Sequence, residues 1–169
     1  SLGVRFKGSY GSLVACVDGE GNLICSKLSL KLKFSEYDKE KRFFGLKRLN
    51  FHAMARDASK MHDKVAYKLY RDMGIAAPRS SWARLEGNGE SLGLFDLVEE
   101  IDGRFTNNRW PEDGDGNLYK EVWPISDEAT RYEEGLKTNE GETDHATYLS
   151  FRNELHASSP ETRLATLDE

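Results

Sequence analysis

FFGLKRLNFHAMARDASKMHDKVAYKLYRDMGIAAPRSSWAR, residues 43–84, reads as a strand-like segment, a helix with clear stops, and a second strand. Asp57 or Ser59 offers the N-cap, since either side chain can accept from an unpaired amide of the first turn. Met61, Val65, Leu69 and Met73 recur at every fourth position, and Ala66 and Tyr70 widen them into an apolar stripe of the kind that faces a core. Gly74 stands where a glycine ends a helix, Ile75 can supply the hydrophobic contact beyond it, and Pro78 prevents resumption. The spacing therefore predicts a helix over residues 61–74.

Toward the N-terminus, Leu2-Gly3-Val4-Arg5-Phe6-Lys7 alternates apolar and basic residues, which predicts a half-exposed strand followed by a Gly8-Ser9-Tyr10-Gly11-Ser12 loop. Residues 13–17 and 23–34 are expected to form a hairpin around Asp18-Gly19-Glu20-Gly21-Asn22, where Gly and Asn tolerate positive φ. In its second arm Leu28, Leu30, Leu32 and Phe34 point one way, and Lys27, Ser29, Lys31 and Lys33 the other. Cys16 and Cys25 would then lie nearly opposite each other. Two buried free thiols are the expectation, with a cross-strand disulfide as the alternative in an oxidising compartment.

Beyond the helix, residues 80–85 and 92–101 read as two strands joined by a turn at Glu86-Gly87-Asn88-Gly89-Glu90. Residues 102–144 are rich in Gly, Asp and Glu and read mostly as loop, with a short strand at 118–122. Tyr148, Phe151, Arg152 and Leu155 share a face of a helix over 145–156. Ser158, Pro160 and Glu161 have the spacing that opens a further helix, which runs into the last residue, Glu169.

A chain of 169 residues fits one domain or most of one. No apolar run approaches the ~20 residues that span a bilayer, and no signal peptide is visible. Ser1 opens directly into strand-like sequence without an initiator Met, so the chain reads as an excised piece. The net charge of −5 hides an asymmetry. Residues 1–84 carry 17 Lys and Arg against 8 Asp and Glu, a balance of +9, whereas residues 85–169 carry 7 against 21, a balance of −14. A basic first half can meet phosphates. Nucleic acid is disfavoured, because aromatic platforms do not interleave with the lysines and the second half is acidic.

Several motifs fail on their own spacing. Asp113-Gly114-Asp115-Gly116-Asn117 begins like a calcium loop, but Leu118 stands at the required glycine and Pro124 at the required glutamate. His52, His62, His145 and His156 show no paired metal spacing and no nucleophile motif, so a surface or helix-edge role is the expectation for each. Gly8-Ser9-Tyr10-Gly11 could present amides to a phosphate, though a glycine pair is more often only a turn. Three lysines on one strand face repel one another unless solvated or given an anion. Followed by a helix whose first turn holds Asp63, they have the layout in which a strand lysine contacts nucleotide phosphates and a helix acid holds it in place.

Seven elements then fall in a familiar order. They are Arg5-Phe6-Lys7-Gly8-Ser9, the strand 27–34, Phe44-Gly45-Leu46-Lys47-Arg48-Leu49-Asn50, the helix 61–74, Ala77-Pro78-Arg79-Ser80-Ser81, Val98-Glu99-Glu100-Ile101-Asp102, and Gly116-Asn117-Leu118-Tyr119-Lys120. On these the chain resembles the N-terminal half of a CotH-type spore-coat kinase domain. The resemblance implies an α+β, kinase-like N-lobe over residues 1–120, an antiparallel sheet with a packed helix, and over 121–169 an acidic linker toward a C-lobe. It implies an atypical kinase that phosphorylates Ser (or Thr) of a protein with ATP and a divalent metal, Mg or Mn. No nucleic acid or membrane partner is implied, and the location would be a spore coat, a cell surface or the secreted space.

For the site, the resemblance implies Gly8 and Ser9 in the loop over the phosphates and one of Lys27, Lys31 and Lys33 as the phosphate lysine, with Asp63 as its partner. Glu100 would lie in the connection that meets adenine. His62-Asp63 replaces the family's usual Arg-Glu, and Asp is one methylene shorter. The family's catalytic and metal-binding Asp segments have no counterpart in this sequence, so the chain alone is expected not to turn over. A non-catalytic coat or surface assembly module of the same fold is the alternative.

Overall fold

Antiparallel pairing organises the first hundred residues of the computed structural model, which describes residues 1–8, 13–141 and 145–163. Two compact units divide the chain, Ser1–Ile101 and the residues from Asp102 onward. Residues 102–120, expected with the first unit, fall in the second.

The first unit contains β1 (Gly3–Phe6), β2 (Leu30–Lys33), β3 (Arg48–His52), α1 (His62–Asp72), β4 (Ser80–Gly87) and β5 (Glu90–Val98). The strands form one five-stranded sheet in the order β1-β2-β3-β5-β4, every neighbour antiparallel, so the unit is α+β. The expected turn between β4 and β5 forms at Asn88 (φ 54°) and Gly89 (φ 84°), the two positive φ values that suit a twisted two-residue hairpin. A bulge between Leu85 and Glu86 leaves Leu92 unpaired.

Cross-strand partners share a face, so the register sorts the sheet into two. Leu30 pairs with Phe51, Leu32 with Leu49, and Phe51 with Leu97. These residues, with Ala83 and Leu85, pack around buried Phe51, Ala53 and Phe95, and the Phe51 and Phe95 rings meet edge to face at 6.4 Å. The opposite face carries Arg5, Lys31, Asn50, Val98 and Ser80 in one row and His52, Asp96 and Trp82 in the next.

Helix α1 lies against that polar face, a correction to the expected packing. Tyr67 is half-buried, Lys64 Nζ donates to the Ser80 carbonyl at 3.2 Å, and Arg71 donates to the Pro78 carbonyl. The stripe of Met61, Val65, Leu69, Tyr70 and Met73 points away and is 46–65% exposed. The reason is the partner: a sheet face of lysines, Asn50, His52 and Asp96 matches the polar arc of the helix, not its apolar one. The C-terminal end of α1 follows the sequence, but its N-cap is Met61, with no side-chain cap, and not Asp57 or Ser59, which bond the amides just before and at the start of the helix instead. Ser59 Oγ accepts from the Met61 amide at 3.1 Å and Asp57 from the His62 amide at 2.9 Å. The Ser59 hydroxyl above all holds the Asp57 carboxyl down to about 2. Gly74 (φ 80°) donates to the Arg71 carbonyl and Ile75 to that of Tyr70, the reciprocal pair that closes a helix.

Two further expectations are corrected. Residues 13–34 form no long hairpin. Val14–Cys16 make a single 3₁₀ turn, Val17 and Leu23 share an isolated bridge, and the ladder begins only at Leu30. Asp18 accepts from the Glu20 and Asn22 amides, which tightens the turn enough to set Cys16 and Cys25 with Cα atoms 5.0 Å apart. They form a disulfide, not two free thiols.

The second unit holds α2 (Gly103–Arg109), α3 (Ala129–Gly135) and α4 (Ala146–Ala157). Asp102 caps α2 by accepting from the Arg104 amide, and Tyr119, Tyr132, His145, Tyr148 and Phe151 form an aromatic cluster. His145, expected at a surface, is buried there and bonds the Tyr119 hydroxyl at 2.7 Å. The expected strand at 118–122 is reduced to one bridge, Tyr119 to Leu136, with no ladder extending from it among the described residues. Ser9 and the loop to Ser12, residues 142–144, and the helix expected beyond Arg163 lie outside the described residues.

Candidate functional site

Positive charge gathers on the polar face because β1 and β2 alternate basic with apolar residues, and pairing Arg5 with Lys31 and Lys33 with Arg48 aligns their basic positions. Two networks organise it.

In the first, Lys31 Nζ donates to Glu100 Oε1 at 2.7 Å, with the two side chains only 16% and 12% exposed. Asn50, directly opposite Lys31 on β3, donates its amide to the other carboxylate oxygen, and an Arg48 nitrogen lies 3.8 Å from Oε1. A half-buried ion pair is retained only when its remaining lone pairs are satisfied, and Asn50 does that here. Glu100, expected as part of a connecting segment, thus acts through its side chain.

In the second, His52 uses both ring nitrogens. Nδ1 lies 2.8 Å from Asp63 Oδ2 in the first turn of α1, and Nε2 lies 2.9 Å from Lys7 Nζ. An ammonium only donates, so Nε2 is the acceptor and Nδ1 carries the proton that is donated to Asp63. That bond holds the Asp63 carboxyl below its ordinary range, although burial opposes it. Asp63 therefore meets His52 and not a β2 lysine, correcting the expected direct pair. Asp63 is one methylene shorter than glutamate, and His52, closer on β3, spans the interval.

Asp96 lies opposite His52 on β5. It is fully buried, and neither carboxylate oxygen makes a hydrogen bond of ordinary geometry among the described residues. Burial first, then the Asp63 charge, pushes its carboxyl up, while His52, Lys64 and Ser80 act the other way. Tyr67 of α1 is raised by burial and by the same two acids.

The remaining expected residues disperse. Lys27 precedes the ladder, so strand alternation does not govern it. Its ammonium donates to the Leu94 carbonyl and sits 4.4 Å from the centre of the Phe95 ring, on the apolar side, where burial lowers its basicity. The three-lysine column is thus reduced to Lys31 and Lys33, and Lys33 pairs with Glu36 at 2.8 Å in the following turn. Gly8 adopts φ 128°, a conformation that side chains disfavour. Ser9 lies outside the described residues.

Lys7, Asn50 and Asp96 were given no site role from the sequence, and His52, expected at a surface or helix edge, instead lies on β3 and bonds both Lys7 and Asp63. The signal for two of them was present, since continuing the alternation of β3 by one pair places His52 beside Asn50 on the face of Lys31. Asp96 carried no such mark, because β5 is mixed in polarity throughout.

Among the described residues no three His, Cys, Asp or Glu side chains are placed to hold a metal ion, and no helix is long and apolar enough to cross a membrane. No curated protein matches the chain. A family model described as CotH kinase protein matches residues 4–168.

Proposed function

From the chain's membership of the CotH kinase protein family, shown by a match over nearly its whole length, we propose that it forms the nucleotide-binding part of an atypical protein kinase. In this reading the γ-phosphoryl group of ATP passes to a Ser (or Thr) hydroxyl of a protein. The hydroxyl oxygen bonds to phosphorus, the bond from phosphorus to the bridging oxygen breaks, ADP leaves, and the hydroxyl proton goes to a base. The observation that carries the reading is the Lys31–Glu100 pair, half-buried on a basic sheet face.

A lysine so held offers a fixed positive charge to anionic phosphate oxygens, and positioning plus charge is most of what phosphoryl transfer asks of a protein. The sheet order and the placement of α1 between β3 and β4 support a kinase-like N-lobe that ends near Ile101, with residues 102–120 reassigned to the second unit. Gly8 and Ser9, Lys33 and Asp63 stay in the proposed phosphate region, while Lys27 faces the apolar side. A divalent metal, Mg or Mn, would share the phosphate charge. The described residues offer it no ligand cluster, and no step is routed through it.

The substrate class is a Ser-containing protein. The Cys16–Cys25 disulfide supports an oxidising location, such as a coat, a cell surface or the secreted space. The exposed apolar arc of α1 favours a second reading, a non-catalytic assembly module of the same fold.

The test uses the protein that carries this chain, at its natural length, with γ-labelled ATP, Mg²⁺ or Mn²⁺, and a Ser-rich protein. Label on serine is expected, falling at least about tenfold in Lys31→Met, the loss of one charge-assisted contact. Transfer unchanged in Lys31→Met would remove the site from the reading. No transfer at all, together with self-association that Leu69→Asp abolishes, would favour the assembly module.

A further inference from the structure

We infer that the chain docks head to tail onto a second copy of itself, the basic Phe43-Phe44 tip of one copy against the acidic Trp123-Pro124-Ile125 hook of the next. The inference goes beyond the proposed kinase activity and does not depend on it. The tip lies in the connection between β2 and β3. Phe43 and Leu46 exchange amide-to-carbonyl bonds of 3.0 and 2.9 Å across Phe44 (φ 48°) and Gly45 (φ 77°). That is a two-residue turn whose first position favours Asn, and a bulky side chain is disfavoured there. Phe44 nevertheless occupies it, 86% exposed and edge-on to Phe43, whose ring stacks on buried Phe34 at 5.1 Å. Folding gains nothing from a disfavoured backbone that displays an apolar ring to solvent, so the display points to recognition.

Charge selects the partner. Residues 39–47 carry Lys39, Lys41, Arg42 and Lys47 against Glu40. Lys41 donates to the Ser1 carbonyl and Arg42 to those of Lys39 and Lys41, neutral acceptors that leave both charges in place. Of the acids just before, Glu36 pairs with Lys33 and Asp38 accepts from the Glu40 amide. In the second unit Trp123 and Ile125 are 72% and 68% exposed, between Glu121 on one side and Asp127-Glu128 on the other. Lys120 and Arg131 bound this stretch, Arg131 at 3.3 Å from Glu128, and no Lys or Arg lies within it. The hook is held from behind, where His156 donates to the Pro124 carbonyl at 2.8 Å and Tyr132 to that of Ser126. Two tips, or two hooks, would bring like charges together. A tip and a hook bring opposite charges together, with the aromatic anchors that carry most interface energy. Unlike patches do not close in a symmetric pair, so copies add into a ring or an open chain.

The experiment is sedimentation velocity over a concentration series of the protein that carries this chain, with a thermal melt on every variant. Self-association is expected, weakening at least about threefold from about 0.1 to about 0.5 M NaCl as the opposed charges are screened. Phe44→Asn and Trp123→Ser are each expected to weaken it at least about tenfold. Asn suits the turn, so Phe44→Asn should keep or raise the melting midpoint while association falls. Mixing the two variants leaves one sound contact, the tip of Trp123→Ser against the hook of Phe44→Asn. A one-to-one pair that grows no further is therefore expected from the mixture. Leu69→Asp is expected to leave association unchanged.

A protein that stays monomeric at every concentration overturns the inference. So does association of either variant at wild-type strength, a mixture that stays monomeric, or indifference to salt. Loss of association in Leu69→Asp also overturns it, by moving the contact to the apolar arc of α1. None of these outcomes bears on whether the protein binds nucleotide or transfers phosphate.

Discussion

Asp96 has no exposed surface, and its two oxygens lack ordinary hydrogen bonds among the described residues, while His52, Lys64 and Ser80 lie close enough to favour its charge. Burial and Asp63 outweigh them, so the folded carboxyl titrates above its unfolded value of ~3.9. The sign comes from linkage. Below the unfolded value both states are protonated and Asp96 costs nothing. As pH rises through the raised folded value, the unfolded state gives up its proton more readily, and stability is lost. Asp96→Asn is therefore expected to raise the melting midpoint at pH 8, on the order of 4 °C if ~1 kcal/mol is recovered in a unit of this size. The gain should shrink as pH falls toward 4. Parallel pH–stability curves for the two proteins would show that Asp96 is not the strained acid. The residue invites this test because nothing in its sequence context distinguished it: an Asp in a strand of mixed polarity reads as solvated until the helix above it is seen.

At the scale of elements, α1 divides what the sequence made legible from what it did not. Its stop at Gly74 and Ile75 and the β4–β5 hairpin were readable, because caps and turns depend on local amide bonding and on φ, whereas its N-cap fell at Met61 and not at Asp57 or Ser59. Which face of α1 would pack was not readable, since that depends on the polarity of a sheet face assembled from three other strands. The same limit explains the lysines. Alternation ordered Lys31 and Lys33 correctly but failed at Lys27, where no ladder exists to enforce it. It also explains His52, whose partners, Lys7 and Asp63, are brought to it by separate elements. The inverted helix makes a sharp prediction. Leu69→Asp, in the centre of the expected core stripe, should cost less than about 0.5 kcal/mol in urea unfolding, because the site is already wet. Phe95→Ala, 1% exposed beneath the sheet, should cost about 3–5 kcal/mol. A cost for Leu69→Asp near that of Phe95→Ala would mean the apolar arc is covered in solution.

For the whole molecule, the charge split and the disulfide bear on the same first unit. Cut at the boundary of the two units, the chain carries 17 Lys and Arg against 13 Asp and Glu up to Ile101, and 7 against 16 beyond it. Glu86, Glu90 and Asp96 of the sheet, with Glu99 and Glu100 just after β5, account for the reduced surplus of the first unit, and Glu100 pairs with Lys31. β1 to β3 carry Arg5, Lys31, Lys33 and Arg48 and no Asp or Glu, and the turn closed by Cys16 and Cys25 lies between β1 and β2. Among the described residues between β1 and β2, regular structure amounts to Val14–Cys16 and one bridge, so the covalent link is a strong restraint on residues 16–25. Closing a loop with a sequence separation of 9 removes unfolded-state entropy worth about 2–3 kcal/mol in the chain-entropy account. Cys16→Ser with Cys25→Ser, or reduction of the native protein, should therefore lower unfolding stability by about that amount, with a midpoint drop on the order of 10 °C in signals from the first unit such as Trp82 fluorescence. Because the link acts on the unfolded chain, amide shifts of β2, β3 and the His52–Asp63 pair should stay in place in the reduced protein below its new midpoint. Loss of those native shifts at low temperature, with stability otherwise unchanged, would assign the disulfide to shaping the basic face and not to restraining the chain.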